Sequence, residues 1–186
     1  MKRKIVRIFI YFVYLWCCIW YDKKYLVGEN FNREHFSNGW KKALRCWFPQ
    51  KVLGYARNIP FPISKNVMIV NYNNITFSSD DISNFFSPGC FYQATKGKIY
   101  IGHGTMIAPN CGIITTNHDL NDLKKHVDGK DVKLGENCWI GMNSIILPGV
   151  ELGDKTIVGA GSVVTKSFIG GNCVIAGNPA RKIKDL

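Results

Sequence analysis

From Ile101 onward an aliphatic residue returns at six-residue intervals. The series is Ile101, Ile107 and Ile113, then, after one interruption, Leu134, Ile140, Ile146, Leu152, Val158 and Val164. The following position is often small, as at Gly102, Ala108, Gly135, Gly141, Gly153 and Gly159. The fifth position of each block is small or β-branched: Thr105, Cys111, Cys138, Ser144, Val150, Thr156 and Ser162. A period of six matches neither the ~3.6-residue repeat of a helix nor the two-residue alternation of a strand. It fits one short strand followed by one corner. Three such blocks close a triangular coil, and stacked coils bury the aliphatic column.

The chain from about residue 100 is therefore expected to be a left-handed parallel β-helix of hexapeptide repeats, an all-β fold. The domain is assigned to residues 61–186. The step from Ile113 to Leu134 is not a multiple of six, so a loop leaves the coil over residues 118–133. Long loops that leave a rigid solenoid commonly carry function. Residues 63–100 follow the pattern poorly. Val67–Ile75 reads as a degenerate first coil and Phe85–Gly97 as a second excursion. Cys111, Cys138 and Cys173 occupy the small interior position or its equivalent, where a thiol serves as compact core filler.

Residues 1–60 follow another pattern, that of an apolar and basic helical segment. Ile8–Tyr21 is an unbroken apolar and aromatic run behind a basic start. A full membrane span needs about 20 residues, more than this run supplies, and Tyr and Trp favour the headgroup level. The expectation is an uncleaved helix associated with the inner membrane face, peripheral or monotopic. A single span, a cleaved signal or a helix packed on the domain are the alternatives. Ser37–Phe48 reads as a second helix, with Trp40, Leu44, Trp47 and Phe48 on one face and Pro49 as its stop. Its tryptophan face could meet the membrane or the end of the solenoid. Asn58–Pro62 reads as an extended linker and domain boundary.

Charge follows the same division. Residues 1–60 hold 12 Lys/Arg against 3 Asp/Glu, while residues 61–186 hold 12 against 10. Residues 1–60 also hold most of the aromatic side chains. The overall basicity thus belongs to the N-terminal segment. Its interleaving with Trp, Tyr and Phe beside an apolar run favours a membrane surface over nucleic acid. The seven cysteines show no metal-site spacing and read as reduced thiols in the cytoplasm.

Several stretches of the repeat resemble the hexapeptide-repeat acyltransferases, nearest to the maltose, galactoside and surface-polysaccharide O-acetyltransferase group. They are Ile101-Gly-His-Gly-Thr-Met-Ile-Ala-Pro-Asn-Cys, Ile114-Thr-Thr-Asn-His118, Asn137-Cys-Trp-Ile-Gly141, Ile146-Leu-Pro-Gly-Val150, Gly159-Ala-Gly-Ser-Val-Val-Thr-Lys166 and Ala176-Gly-Asn-Pro-Ala-Arg181. The resemblance covers nearly half the chain and does not extend to residues 1–60. It implies acetyl-CoA as donor, a sugar hydroxyl as acceptor, no metal, and a homotrimer with active sites between subunits. It puts the catalytic base at His118 and the oxyanion donor at the backbone N–H of Met142. It assigns Ala160, Thr165 and Lys166 to the pantetheine arm and phosphates, and Arg181 and Lys184 to the nucleotide end. Trp139 is a candidate contact for the cofactor, the core or a subunit seam. The chemistry agrees, since an alcohol attacking a thioester needs a base near pKa ~6.5 and a preformed oxyanion donor. One departure concerns the acceptor. Galactoside-type members carry an Asn upstream of the repeat, whereas Ser87–Gln93 here has none and offers Gln93 instead.

Three other readings remain open on the sequence. A γ-type carbonic anhydrase shares the fold, but His103, His118 and His126 lack its close zinc-binding pair. A serine O-acetyltransferase-like enzyme would need a large helical N-terminal domain. A non-catalytic membrane-associated scaffold would have no reason to combine Asn117-His118 with the Gly-Ala-Gly-Ser stretch.

Overall fold

The computed structural model describes residues 2–186. Two helices, α1 (Lys2–Trp20) and α2 (Asn38–Trp47), precede a parallel β-solenoid. Its first face stacks β1 (Met68–Val70), β3 (Phe91–Gln93), β6 (Gly112–Ile114), β9 (Ile145–Ile146) and β12 (Val163–Val164). The second stacks β2 (Ile75–Thr76), β4 (Ile99–Ile101), β7 (Val132–Leu134) and β10 (Glu151–Leu152). The third stacks β5 (Met106–Ile107), β8 (Trp139–Ile140), β11 (Thr156–Val158) and β13 (Cys173–Gly177). The last strand, β14 (Ala180–Asp185), runs antiparallel, folding back on β13 as a terminal hairpin.

The six-residue period is visible as register. Ile107, Ile140, Val158 and Ile175 are direct partners on the third face, and Ile101, Leu134 and Leu152 on the second. All are buried. The fifth positions are buried too and cap neighbouring corners. Thr105 Oγ1 donates to the Gly135 carbonyl at 2.6 Å, and Ser144 Oγ to that of Gly159 at 3.1 Å. A short hydroxyl or thiol fits there because the corner carbonyls need donors in a space too small for water. The residue just before is left-handed at corner after corner, with Asn110, Asn137 and Asn143 at φ of 60°, 54° and 61°. Asn tolerates this region better than other side chains, which is why it recurs.

Two expectations need correcting around this frame. Phe91–Gln93 is no excursion but a rung of the first face, with Tyr92 in register with Ile113 and fully buried. An aromatic in an aliphatic column hides the period. The excursion lies just before it, in a 3-10 segment Ser79–Phe86 that takes the place of a strand. Asn84 there completes the third face: its Nδ2 donates to the Thr105 carbonyl at 2.8 Å and its Oδ1 accepts from Ile107 N–H at 2.9 Å. The second correction concerns Pro49. The α-helix ends at Trp47, just before Pro49, but the chain stays helical beyond it in a π-helical segment, Phe48–Val52.

The N-terminal elements form a lid on the solenoid rather than a tethered arm. Ile10, Val13, Cys17 and Tyr21 on α1 and its C-terminal end, and Trp40 and Ala43 on α2, join the same core as the coils. The stretch read as a linker is buried at Ile59 and Phe61. Aromatic contacts descend from Phe61 to Phe85 at 5.0 Å and from Phe85 to Tyr92 at 5.1 Å. Buried Gln50 clamps the lid. Its Nε2 donates to the Phe61 carbonyl at 2.8 Å and that of Ile59 at 3.3 Å, while its Oε1 accepts from Tyr21 Oη and Ile63 N–H. Beside it Lys51 Nζ donates to the Ile59 carbonyl at 2.6 Å, and burial pushes the Lys51 amine below its usual range. Replacing Gln50 by Ala leaves the Phe61 carbonyl and the Ile63 N–H without partners, while the Ile59 carbonyl keeps Lys51. The expected cost is about 1–3 kcal/mol, read as a lower urea midpoint. An unchanged midpoint would remove Gln50 from this role.

Candidate active site

His118 stands where the first face turns toward the second, at the root of the long loop that interrupts the coils. The chain before it is fixed. Thr115 and Thr116 are buried, and Gln93 Oε1 accepts from both of their N–H groups, at 3.1 and 3.2 Å. The loop is a small hairpin. Val127 N–H donates to the Asn117 carbonyl, Asp119 N–H to that of Lys125, and Lys130 N–H closes onto Thr115 at 2.8 Å. Asp119 and Asp122 use their carboxylates inside the loop, on the N–H groups of Asn121 and Lys124.

The ring of His118 is oriented by a main-chain carbonyl. Its Nδ1 lies 2.7 Å from the Leu123 oxygen, so Nδ1–H is the donor and the lone pair of Nε2 is left free. His126, on the facing strand of the loop hairpin, packs on the ring, with centroids 4.2 Å apart and planes at 35°. The ring itself is exposed. A base with an oriented ring, a free nitrogen and an open face is equipped to take a proton from a hydroxyl.

Met142 occupies a different corner, where the third face turns back to the first. Gly141 N–H donates to the Val158 carbonyl and Asn143 N–H to that of Pro109, but Met142 N–H donates to nothing among the described residues. It is a free, rigidly held donor of the type an oxyanion needs. Gly141 makes the close stacking possible: a Cβ there would lie 2.6 Å from both the Ala160 nitrogen and the Val158 oxygen. Ala160 is the next step of this corner, joined by Gly161 N–H to the Met142 carbonyl at 2.8 Å.

The remaining residues sort by edge. Thr165 and Lys166 lie on the edge of His118, further along the axis, where Ser167 Oγ reaches the Gly149 carbonyl at 3.4 Å. Lys166 is exposed, with its ammonium 5.6 Å from the Phe168 ring centre. Arg181 and Lys184 are exposed on β14, with Arg181 paired to Ala176 beside the Ala160 corner. Trp139 is half-exposed on the outer third face, between Met106 and Ile157 in register, so it is not a core residue. The fold thus puts His118 and Lys166 at different levels of one edge, and Met142, Ala160 and Arg181 along another edge of the same chain. Gln93 does not stand free for an acceptor with its carbonyl oxygen, which is spent on Thr115 and Thr116.

No group of three His, Cys, Asp or Glu that could hold a metal ion occurs among the described residues. His103 pairs with Asp81 at 3.3 Å on another edge, apart from His118 and His126.

Comparison with known proteins agrees with this repeat and fold. Residues 131–166 match the family described as bacterial transferase hexapeptide (six repeats). Over these residues the solenoid is similar to the hexapeptide repeat of that family. Galactoside O-acetyltransferase of Escherichia coli is 40% identical over 91 residues, covering 47% of this chain and 44% of that one. A putative colanic acid biosynthesis acetyltransferase, WcaF, of Escherichia coli is 36% identical over 91 residues, covering 49% and 50%. The chain spans about half the length of these curated relatives. Among solved structures, a hexapeptide-repeat containing acetyltransferase from Vibrio cholerae has a TM-score of 0.54 at 22% identity, over 67% of this chain and 69% of that one. At that identity the likeness is one of fold.

The Leu123 contact predicts a single tautomer. Nitrogen NMR of the neutral His118 ring should show the proton on Nδ1 and a bare Nε2. A ring protonated on Nε2 would leave that nitrogen unable to act as a base.

Proposed function

We propose that the protein is an acetyl-CoA-dependent O-acetyltransferase acting on a sugar hydroxyl in the synthesis of a surface polysaccharide or glycolipid. The observation that carries this reading is the His118 ring, oriented by the Leu123 carbonyl with Nε2 free at an open corner. The relatives named for galactoside and colanic acid acetylation support the acceptor class.

In this mechanism His118 Nε2 takes the proton of the acceptor hydroxyl as its oxygen attacks the thioester carbonyl. The oxyanion that forms accepts the Met142 N–H. Its collapse breaks the carbon–sulfur bond, and the proton on His118 passes to the departing thiolate of CoA. The acetyl group ends on the sugar oxygen. Because His118 and Met142 lie on different edges, we assign each site to two chains. The left-handed solenoids associate as a trimer, the His118 edge of one against the Met142 edge of the next, which shields the reaction from water. Lys166 and Arg181 face the phosphates of the donor, where guanidinium and ammonium groups are strong partners.

His118→Ala should lower acetyl transfer by about 10²–10⁴-fold with folding intact, the usual cost of losing a general base. Activity near that of the native chain would remove His118 from the mechanism. Lys166→Ala should raise the KM for acetyl-CoA more than it lowers kcat, and should matter little with a short acetyl thioester. An equal loss on both donors would count against a phosphate contact. Ala160→Trp should block the other edge. Subunits of His118→Ala and Ala160→Trp, each inactive alone, should recover activity when co-assembled, at about a quarter of the sites by random pairing around a ring. No recovery in mixed trimers would put both edges' functions in one chain.

A further inference from the structure

The lid carries an apolar surface that the solenoid leaves uncovered. The inward side of α1 is committed to the core through Ile10, Val13 and Cys17. Its outward side is aliphatic and aromatic, with Phe12 64% and Ile19 68% exposed. Trp16 extends this side onto the next element, meeting Trp47 at 5.2 Å, and Trp47 leads to exposed Phe48 at 6.0 Å. Exposed Val52 and Leu53 come one helical turn after Phe48, past the buried Gln50 and Lys51. The apolar face is therefore continuous across two elements. Such a face on a soluble surface calls for a partner.

Charge decides which one. Arg3 and Lys4 begin α1, Lys23 and Lys24 follow it, and Lys41 lies on α2, all exposed. Beside the apolar face, Arg7, Ile10, Tyr11, Tyr14 and Arg33 line an open cavity of about 150 Å³. The Arg33 guanidinium lies 4.3 Å over the Tyr14 ring. Apolar centre, aromatic belt and basic rim match the layers of an anionic bilayer surface. A second copy of the chain would bring like charges together, since residues 1–60 hold 12 Lys/Arg against only 3 Asp/Glu. No described helix is long and apolar enough to cross a membrane, and the inward side of α1 is held in the core. The geometry suits a helix lying on a surface.

We propose that this surface docks the protein on an anionic phospholipid bilayer. In the docked state α1 lies in the plane of the interface, Phe12, Trp16 and Ile19 enter the acyl boundary, and a headgroup phosphate sits between Arg7 and Arg33, in place of the exposed Glu34 carboxylate 3.7 Å from Arg7 in the free chain. The binding stands independently of the chemistry at His118. Only the choice of leaflet, the one facing the acetyl-CoA supply, and of an acceptor sugar presented at that surface rests on the acetyltransferase reading.

The test is flotation of the full chain with vesicles of phosphatidylglycerol and phosphatidylethanolamine, or of phosphatidylcholine alone, at low and high salt. The native chain should float with the anionic vesicles and less so as salt rises. Phe12→Asp with Ile19→Asp changes only exposed side chains and should weaken binding about tenfold or more, because charge is placed in the inserted face. Arg7→Ala with Arg33→Ala should remove most of the preference for anionic lipid while leaving apolar binding. Brominated lipids should quench tryptophan fluorescence in the native chain. Undiminished flotation of the aspartate variant, or equal binding to neutral vesicles, would overturn the proposal. So would an assembly without lipid that falls apart on Phe12→Asp, which would give the face to a second copy. CoA release onto a soluble sugar, followed in the same preparations, separates the two readings. Flotation lost with turnover kept rejects only the docking site, and flotation kept with no turnover rejects only the chemistry.

Discussion

Side chains stacked in register along the solenoid axis hold everything else in place. Each rung adds one buried aliphatic residue per face, and full burial of such a residue contributes about 1.5–3 kcal/mol. The columns Ile107, Ile140, Val158 and Ile175, and Ile101, Leu134 and Leu152, leave no freedom to slip, because a shift of one residue would turn them outward. The buried Thr, Ser and Cys before each strand then lock the corners through the carbonyls of adjacent coils. A corner held on both sides can lose its regular turn to a loop without moving its ends. That is what happens at His118, where Thr115 and Lys130 stay bonded across the gap.

The same rigidity limits what one chain can do alone. A triangular prism presents three separate edges, and its cross-section is filled by the columns. A base on one edge and a free N–H on another cannot converge by flexing. The proposed sharing of sites between neighbours follows from that geometry, and so does the exposure of His118 and the outer side of Trp139 in the isolated chain. The lid works by the opposite means. It covers the first coil with aromatic side chains and a polar clamp at Gln50, and it leaves one side of α1 free because that side touches no coil.

Much of this was legible in the sequence because the repeat is periodic. Every aliphatic position from Ile101 to Val164 is buried as its phase required, and so is every fifth position. The phase break after Ile113 marked where the loop beside His118 leaves the coil, whereas Met142 was named by the family resemblance alone. What escaped was whatever the period does not encode. Tyr92 fills an aliphatic column with an aromatic ring. Asn84 replaces a strand with a side-chain amide. The Leu123 carbonyl orients His118, and a carbonyl has no sequence signature at all. The packing of His126 on His118 depends on the hairpin form of a loop whose polar sequence gives no periodic signal. Asn58–Pro62 looked like a linker because its prolines are extended, although its Ile and Phe are buried.

The central claim is direct attack by a hydroxyl activated at His118, with no acyl group ever carried by the protein. Initial rates measured while acetyl-CoA and a sugar acceptor are both varied, together with the intact mass of the protein held with acetyl-CoA alone, test it most directly. The account predicts intersecting rate lines and an unchanged protein mass. A protein that gains one acetyl group and passes it on when the sugar is added, with parallel rate lines, would contradict it.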